Sequence, residues 1–412
     1  MAGSPRASRA LAAVCLAAVA LGAWNVLRYP PGQGYDAVDH MAYADGLVPG
    51  GHLPHGTGEY YTPPGYYALA GSLDWLARQL GASAYGAHRA GMAVNVLFLL
   101  GTVVLAWLIA RELLPGRDAV ALAAAAFVAF VPVTVKAEAM FHPETMSLFL
   151  CALALWLCVR TFADRRYAVA LGLALGAAQL VRAFSLWTLA AAALALAAGR
   201  RFRELAVAVG LAAAVAAPWY VHQRLEYGGS PVFDRPTVSK PLWERRPARF
   251  YVDPGLPDVV ARPYAPNFRN LALPTTYAEL WGDYFGIWAW KGGPSPPAGA
   301  RPWLVVQSVA GILPTLAALA GWVAFLLASL RSPPRLAVAL LPPLGLLGYL
   351  YFTVSYPTPD GDVLKATYML TTTVAWGLAL GYGLDRLRGR ARPVAAAALA
   401  GCAVAQLPFL LY

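Results

Sequence analysis

The sequence predicts an all-α polytopic membrane protein of about eleven transmembrane helices, with interfacial helices in its first outer loop. Of its 412 residues, 59% are hydrophobic and only 13% are charged, and the mean hydropathy is +0.52. Soluble domains carry about twice that share of charge. Ala- and Leu-rich runs recur along the chain, each close to the roughly 20 residues that a spanning helix needs. The formal net charge of +11 falls on the loops of one side only, as expected of short cytoplasmic loops.

Arg6 and Arg9 precede an apolar run from Ala10 to about Val26. A charged start of this kind also suits a cleaved signal peptide. The run ends on Trp24 and Tyr29, which belong in an interfacial belt, so a retained first helix is the expectation. Residues 30–85 then form an outer loop whose stretch Tyr35 to Tyr67 gathers Asp36, Asp39, His40, Asp45, His52, His55 and Glu59. Such groups are costly to desolvate beside a bilayer, so their clustering at one face suggests a site as well as a solvated loop. Pro63-Pro64 opens a helix at its first turn, and Asp74 and Arg78 beside its aromatic face suit a helix lying in the interface.

Further spans are expected at 86–112, 118–135, 143–161, 167–181, 183–199, 204–222, 303–330, 336–354, 365–384 and 393–411. Arg182 interrupts the 167–199 stretch and leaves one half short. The chain therefore divides into an N-terminal membrane module (1–222), an outer aromatic and Pro-rich region (223–302) and C-terminal membrane helices (303–412). The outer region holds WGDYFGIWAWKGG at 281–293, which is expected to touch the bilayer or to line a groove for a lipid chain through Trp281, Tyr284 and Trp288.

With the N-terminus inside, the inner segments hold sixteen arginines and five acids, a net of +11, and the outer segments balance to zero. All six histidines and sixteen of the twenty-one acids then lie outside or at the outer boundary. The basic balance is thus a matter of topology, and no nucleic-acid module is visible. Cys15, Cys151, Cys158 and Cys402 all sit inside apolar runs, which removes a disulfide framework and a CxxC metal site.

Four polar patches converge on the outer face. They are Asp36/Asp39/His40; Lys136, Glu138, His142 and Glu144; Arg182; and Asp360, Asp362 and Lys365. Carboxylates and imidazoles act as general bases or hold divalent cations, and isolated Arg and Lys at a membrane boundary suit a phosphate. Each patch has a plainer reading. Arg182 and Lys365 could snorkel, and Glu144 with His142 could cap a helix after Pro143.

The order of these patches resembles the GT-C superfamily of polytopic glycosyltransferases, in particular the branch of protein O-mannosyltransferases and lipid A aminoarabinose transferases. Asp39-His40 with Tyr43 resembles the family's acidic pair followed by Tyr. Tyr60-Tyr61-Thr62-Pro63-Pro64 with Tyr66-Tyr67 resembles its entry to an interfacial helix, and His142-Pro143-Glu144 its second acidic motif. Pro218-Trp219, Arg224 and Tyr227-Gly228 resemble its exit from the membrane, and Lys365 with Tyr368 its late basic-Tyr motif.

That resemblance implies a GT-C-like bundle that moves a sugar, with inversion, from a polyprenyl-phosphate carrier to a protein, lipid or glycan acceptor. It implies Asp39 as general base; Asp36, His40, Tyr43, His142 and Glu144 at the acceptor and sugar; and Arg182, Lys365 and Tyr368 at the donor phosphate. The expected setting is the bacterial plasma membrane, with the N-terminus cytoplasmic and the site facing outward. The sequence departs from the family at His40, which replaces the second acid, and at Thr62, where some relatives carry a metal-binding Glu, so a divalent metal stays an open question. A transporter or lipid flippase would instead place ionisable groups near mid-membrane in paired broken helices. A scaffold that kept the fold and lost the chemistry, or an oligosaccharide ligase, remains compatible with the residues.

Overall fold

A computed structural model describes residues 4–55, 58–228, 240–290, 295–358 and 363–412; Asp360 and Asp362 lie outside them. The described residues fold into helices and connecting turns. In chain order these are α1 (Pro5–Arg28), α2 (Ala37–Leu47), α3 (Gly65–Gln79), α4 (Ala84–Leu113), α5 (Asp118–Phe130) and α6 (Pro132–Ala139). Next come α7 (Glu144–Ala163), α8 (Tyr167–Gln179), α9 (Leu186–Ala198), α10 (Phe202–Tyr227), α11 (Ala248–Val252), α12 (Asp258–Ala261) and α13 (Ala272–Trp281). The chain closes with α14 (Arg301–Ser329), α15 (Pro333–Ala339), α16 (Leu341–Ser355), α17 (Thr373–Arg386) and α18 (Ala391–Leu410).

Among the described residues, seven helical spans are long and apolar enough to cross a membrane, or eight if the bent pair α5–α6 is one span. Eleven were expected from the runs of apolar residues. The difference lies in α8 and α9, with 13 residues each, and α17, with 14. At 1.5 Å per residue, such helices rise only about 20 Å, short of a hydrocarbon core of about 30 Å. The expected span at 365–384 is short because residues 366–372 form a 3-10 turn before α17 starts. The expected break at Arg182 is present.

Small residues let the helices approach closely, as membrane bundles require. On α17, a Cβ at Gly377 would stand 2.9 Å from the Ala124 carbonyl of α5, and one at Gly381 would stand 2.9 Å from that of Val120. Leu99, Val103, Leu148, Leu155, Val374 and Leu378 fill the centre and are buried. The 49° break between α5 and α6 falls at Val131-Pro132. Proline cannot donate there, and the Thr134 hydroxyl donates to the carbonyls of Val128 and Val131, both at 2.8 Å. The acceptors freed by the bend are thereby used, as apolar surroundings demand.

The two ends of the bundle differ. At one end Arg117 pairs with Asp385 (2.7 Å), Arg335 donates to the Leu113 carbonyl (3.0 Å) and Arg201 to that of Phe162 (3.0 Å). The opposite end carries α2, α3, the turn at 140–143, the Arg182 turn, the 240–290 segment and Lys365.

Candidate active site

The site end is assembled from four separate stretches. Because α8 and α9 are short, the turn between them is recessed, and Arg182 is buried. The start of α3 closes over this turn: the Gly65 N–H donates to the Leu180 carbonyl at 2.7 Å. A Cβ at Gly65 would lie 2.6 Å from that same oxygen, so only glycine permits the approach.

Arg182 meets Glu144, the first residue of α7, through Nε at 2.8 Å and Nη2 at 2.7 Å. It also reaches the Thr62 hydroxyl at 3.4 Å, and Thr62 donates to Glu59 at 2.7 Å. Lys365 Nζ pairs with Asp36 Oδ2 at 2.8 Å, joining the first loop to a segment 329 residues later. The Tyr368 ring lies beneath both cations, 5.6 Å from the Arg182 guanidinium and 5.9 Å from the Lys365 ammonium, and stacks on Phe184 at 4.8 Å.

Around these cations stands an aromatic wall. His40 Nδ1 shares a 2.7 Å hydrogen bond with the Tyr67 hydroxyl, and its ring meets His142 edge-on at 4.5 Å. Tyr43 stacks on Tyr67 at 3.9 Å and donates to the Thr62 carbonyl at 3.0 Å. Among the described residues, His40 Nε2 and Glu144 Oε2 are buried here without a hydrogen-bond partner. Buried polar atoms are normally satisfied, so an orphaned pair beside two cations is suited to ligand hydroxyls.

Electrostatics sort these groups. Burial would raise the Asp36 carboxyl, but the Lys365 ammonium outweighs it, and the net effect is a carboxylate held below its ordinary range. Burial likewise opposes ionisation of Glu59, and His40 with Arg182 more than compensates, so it too is lowered. Burial takes the His40 imidazole down from 6.5 to about 4. Near neutral pH the His40 ring is therefore uncharged and the carboxylates are ionised.

Most residues singled out from the sequence come together: Asp36, His40, Tyr43, His142, Glu144, Arg182, Lys365 and Tyr368 share this end of the bundle. Asp39 does not join them. It is exposed on α2 next to Gly58 and makes no hydrogen bond or ion pair among the described residues. Asp36, one turn earlier, faces the cations because it precedes α2 in the left-handed region at φ 50°, a conformation that Asp tolerates better than most residues and that recurs at functional sites.

The aromatic segment is also placed differently from the expected groove. Trp281 donates to the Thr315 hydroxyl at 2.8 Å and Tyr284 to the Asn267 carbonyl, both from buried positions. Trp288 stacks on Tyr29 at 5.1 Å and alone of the three borders an open cleft, with Trp303, Leu304, Phe409 and Tyr412. The amphipathic pattern that suggested bilayer contact is satisfied within the protein.

Sequence reading placed Glu59, Thr62 and Tyr67 in the first-loop cluster and its motif without giving them site roles, and passed over Phe184. The first three lie in the polar passage that drew attention to the loop, while Phe184 carried no signal beyond hydrophobicity.

Among the described residues, one group has donor atoms at metal-ligand spacing: Asp45, Asp74 and His88, within 4.8 Å of one another. Arg78 lies among them, donating to Asp74 at 2.6 Å and to Asp45 at 3.0 Å. Around Arg182 the carboxylates face a guanidinium and an ammonium.

The arrangement of helices is a fold shared with solved oligosaccharyltransferase and ArnT structures. Residues 74–222 match the family model described as dolichyl-phosphate-mannose-protein mannosyltransferase. Among solved structures, the chain is similar to the oligosaccharyltransferase of Archaeoglobus fulgidus in its apo form, with TM-score 0.57 and 14% identity over 98% of this chain and 56% of that one. It is equally similar to apo ArnT from Cupriavidus metallidurans, with TM-score 0.57 and 16% identity over 95% of this chain and 62% of that one. ArnT bound to undecaprenyl phosphate gives TM-score 0.53, with 16% identity over 97% and 64%. The chain thus spans less than two thirds of the length of each. No curated protein sequence matches it.

Proposed function

We propose that this protein transfers a sugar from a polyprenyl-phosphate carrier to an acceptor at the end of the bundle that holds α2 and α3. The observation that carries the reading is the convergence of two buried cations, Arg182 and Lys365, with a carboxylate, Asp36, whose side chain is 45% exposed. A lipid-linked donor keeps its tail in the bilayer and presents its phosphate at the helix ends, where these cations lie. The ArnT structure with undecaprenyl phosphate supports a lipid phosphate as ligand of this fold.

In the proposed reaction the acceptor oxygen attacks the anomeric carbon from the face opposite the phosphate. The bond from that carbon to the phosphate oxygen breaks, its electron pair leaves with polyprenyl phosphate, and the configuration inverts. Arg182 and Lys365 stabilise the charge that grows on the leaving phosphate. His142, with the unsatisfied His40 Nε2 and Glu144 Oε2, orients the sugar hydroxyls.

A carboxylate must accept the acceptor's proton. Asp36 is the better placed for this role, since it stands beside the cations and stays ionised. Asp39 is a second candidate because its carboxylate is exposed and has no hydrogen bond or ion pair among the described residues. A positioned general base contributes about 10²–10⁴ in rate. In a transfer assay with a panel of polyprenyl-phosphate sugars, scoring release of polyprenyl phosphate, Asp36→Asn should lose roughly that factor while Asp39→Asn stays within a few-fold. The reverse result moves the base to Asp39, and wild-type turnover by both variants refutes carboxylate base catalysis. The proposed setting is a bacterial plasma membrane with the arginine-rich end cytoplasmic, which the positive-inside rule supports.

A further inference from the structure

The 272–289 segment is anchored by a buried ion pair that the reaction above does not use. Lys136 on α6 and Glu279 on α13 are both buried and meet at 2.7 Å. The Lys136 ammonium also donates to the carbonyls of Glu279 (3.0 Å) and Gly282 (2.6 Å), so all three of its protons are used. Glu279 in turn accepts from the Tyr284 N–H at 2.7 Å and from the Tyr35 hydroxyl.

Tyr35 is where this anchor meets the site. Its hydroxyl is held by Glu279, its ring faces the Lys365 ammonium at 4.8 Å, and its neighbour in the chain is Asp36, the carboxylate that pairs with Lys365. The ring is buried and pinned at its far end, so it offers Lys365 a fixed π-face on one side while Asp36 offers charge on the other.

We propose that Tyr35 and Glu279 are positioning residues for Lys365: the Lys136–Glu279 pair fixes the Tyr35 ring, and the ring holds the ammonium at the place where it meets the donor phosphate. This rests on the assignment of Lys365 to the phosphate. A long lysine side chain has many rotamers, and binding a phosphate with it is costly unless the surroundings have already selected one. The outer segment thereby acts on donor binding without touching the donor.

The test uses undecaprenyl phosphate as the probe, with its dissociation constant measured on the full chain in nanodiscs. The variants are Lys365→Met, Tyr35→Phe and the double variant. Tyr35→Phe keeps the ring and removes only its tether; Glu279→Gln serves as a check, because it strands the Lys136 charge and so acts on stability as well. Loss of the ammonium should weaken binding roughly 10–100-fold and loss of the tether roughly 3–10-fold. In the Lys365→Met background Tyr35→Phe should have no further effect, since residues acting through one group are not additive.

A Tyr35→Phe variant that binds as wild type does, or whose effect multiplies with that of Lys365→Met, overturns the positioning role. If Lys365→Met itself leaves binding unchanged, the phosphate assignment fails, and that result is distinct from failure of the relay.

Discussion

Replacing His40 by Gln should flatten the acid side of the protein's stability curve. The imidazole is fully buried between Tyr67 and His142, with one nitrogen on the Tyr67 hydroxyl and the other unsatisfied. Burial lowers its pKa from 6.5 to about 4. An unfolded chain takes up a proton on this ring as pH falls below about 6.5, and the folded chain does so only near 4. The folded state is the one short of protons in that window, so stability is complete above about 6.5 and is lost as pH falls toward 4. A shift of about 2.5 units corresponds to about 3–4 kcal/mol, or roughly 300-fold in the ratio of folded to unfolded protein.

The assay is thermal unfolding of wild type and His40→Gln in the same detergent from pH 7.5 to pH 4.5. The variant should start lower at pH 7.5, because it loses the ring stacking, and should then fall less steeply. Its remaining slope includes His142, which burial also drives well below 6.5, and Asp36 and Glu59, whose lowered values act at more acid pH, while Asp283, raised by burial to about 6, acts in the opposite direction. Parallel curves for the two proteins would refute the reasoning, because the ring would then not be paying any protonation cost on folding.

Arg182→Ala leaves Glu144 buried without its partner and should cost on the order of 3–5 kcal/mol. Combining Arg182→Met with Glu144→Gln should restore much of the melting temperature but not the affinity for undecaprenyl phosphate, which separates the structural from the binding part of this pair. A cysteine in place of Leu256, which is 67% exposed in the outer region, should react with a membrane-impermeant maleimide in intact cells, and protection there would reverse the proposed orientation.

The helix pattern and the polar end of the bundle were legible in the sequence because both are written locally. Apolar runs mark helices, Arg182 inside such a run marks a break, and histidines and acids on one set of loops mark a face. Which of two acids looks inward was not legible. Asp36 and Asp39 are three residues apart, one just before α2 and one on it, and the choice depends on the backbone turn at Asp36 and on Lys365 arriving from far along the chain. The Lys136–Glu279–Tyr35 cluster was hidden for the same reason, since each member reads alone as an ordinary charged or aromatic residue at a membrane boundary. The aromatic 281–290 segment misled because a stripe of Trp and Tyr suits a bilayer interface and a packed protein interior equally well.

The contact between Asp36 and Lys365 spans 329 residues, and this has a consequence for biosynthesis. At about 5–20 residues per second, the lysine leaves the ribosome roughly 15–65 s after the aspartate. For the first part of that interval the first-loop acids lack both Arg182 and Lys365, for the rest they lack Lys365, and Tyr35 is without Glu279 for most of it. Under the proposed function, an interrupted chain lacks the second phosphate cation until Lys365 has been made.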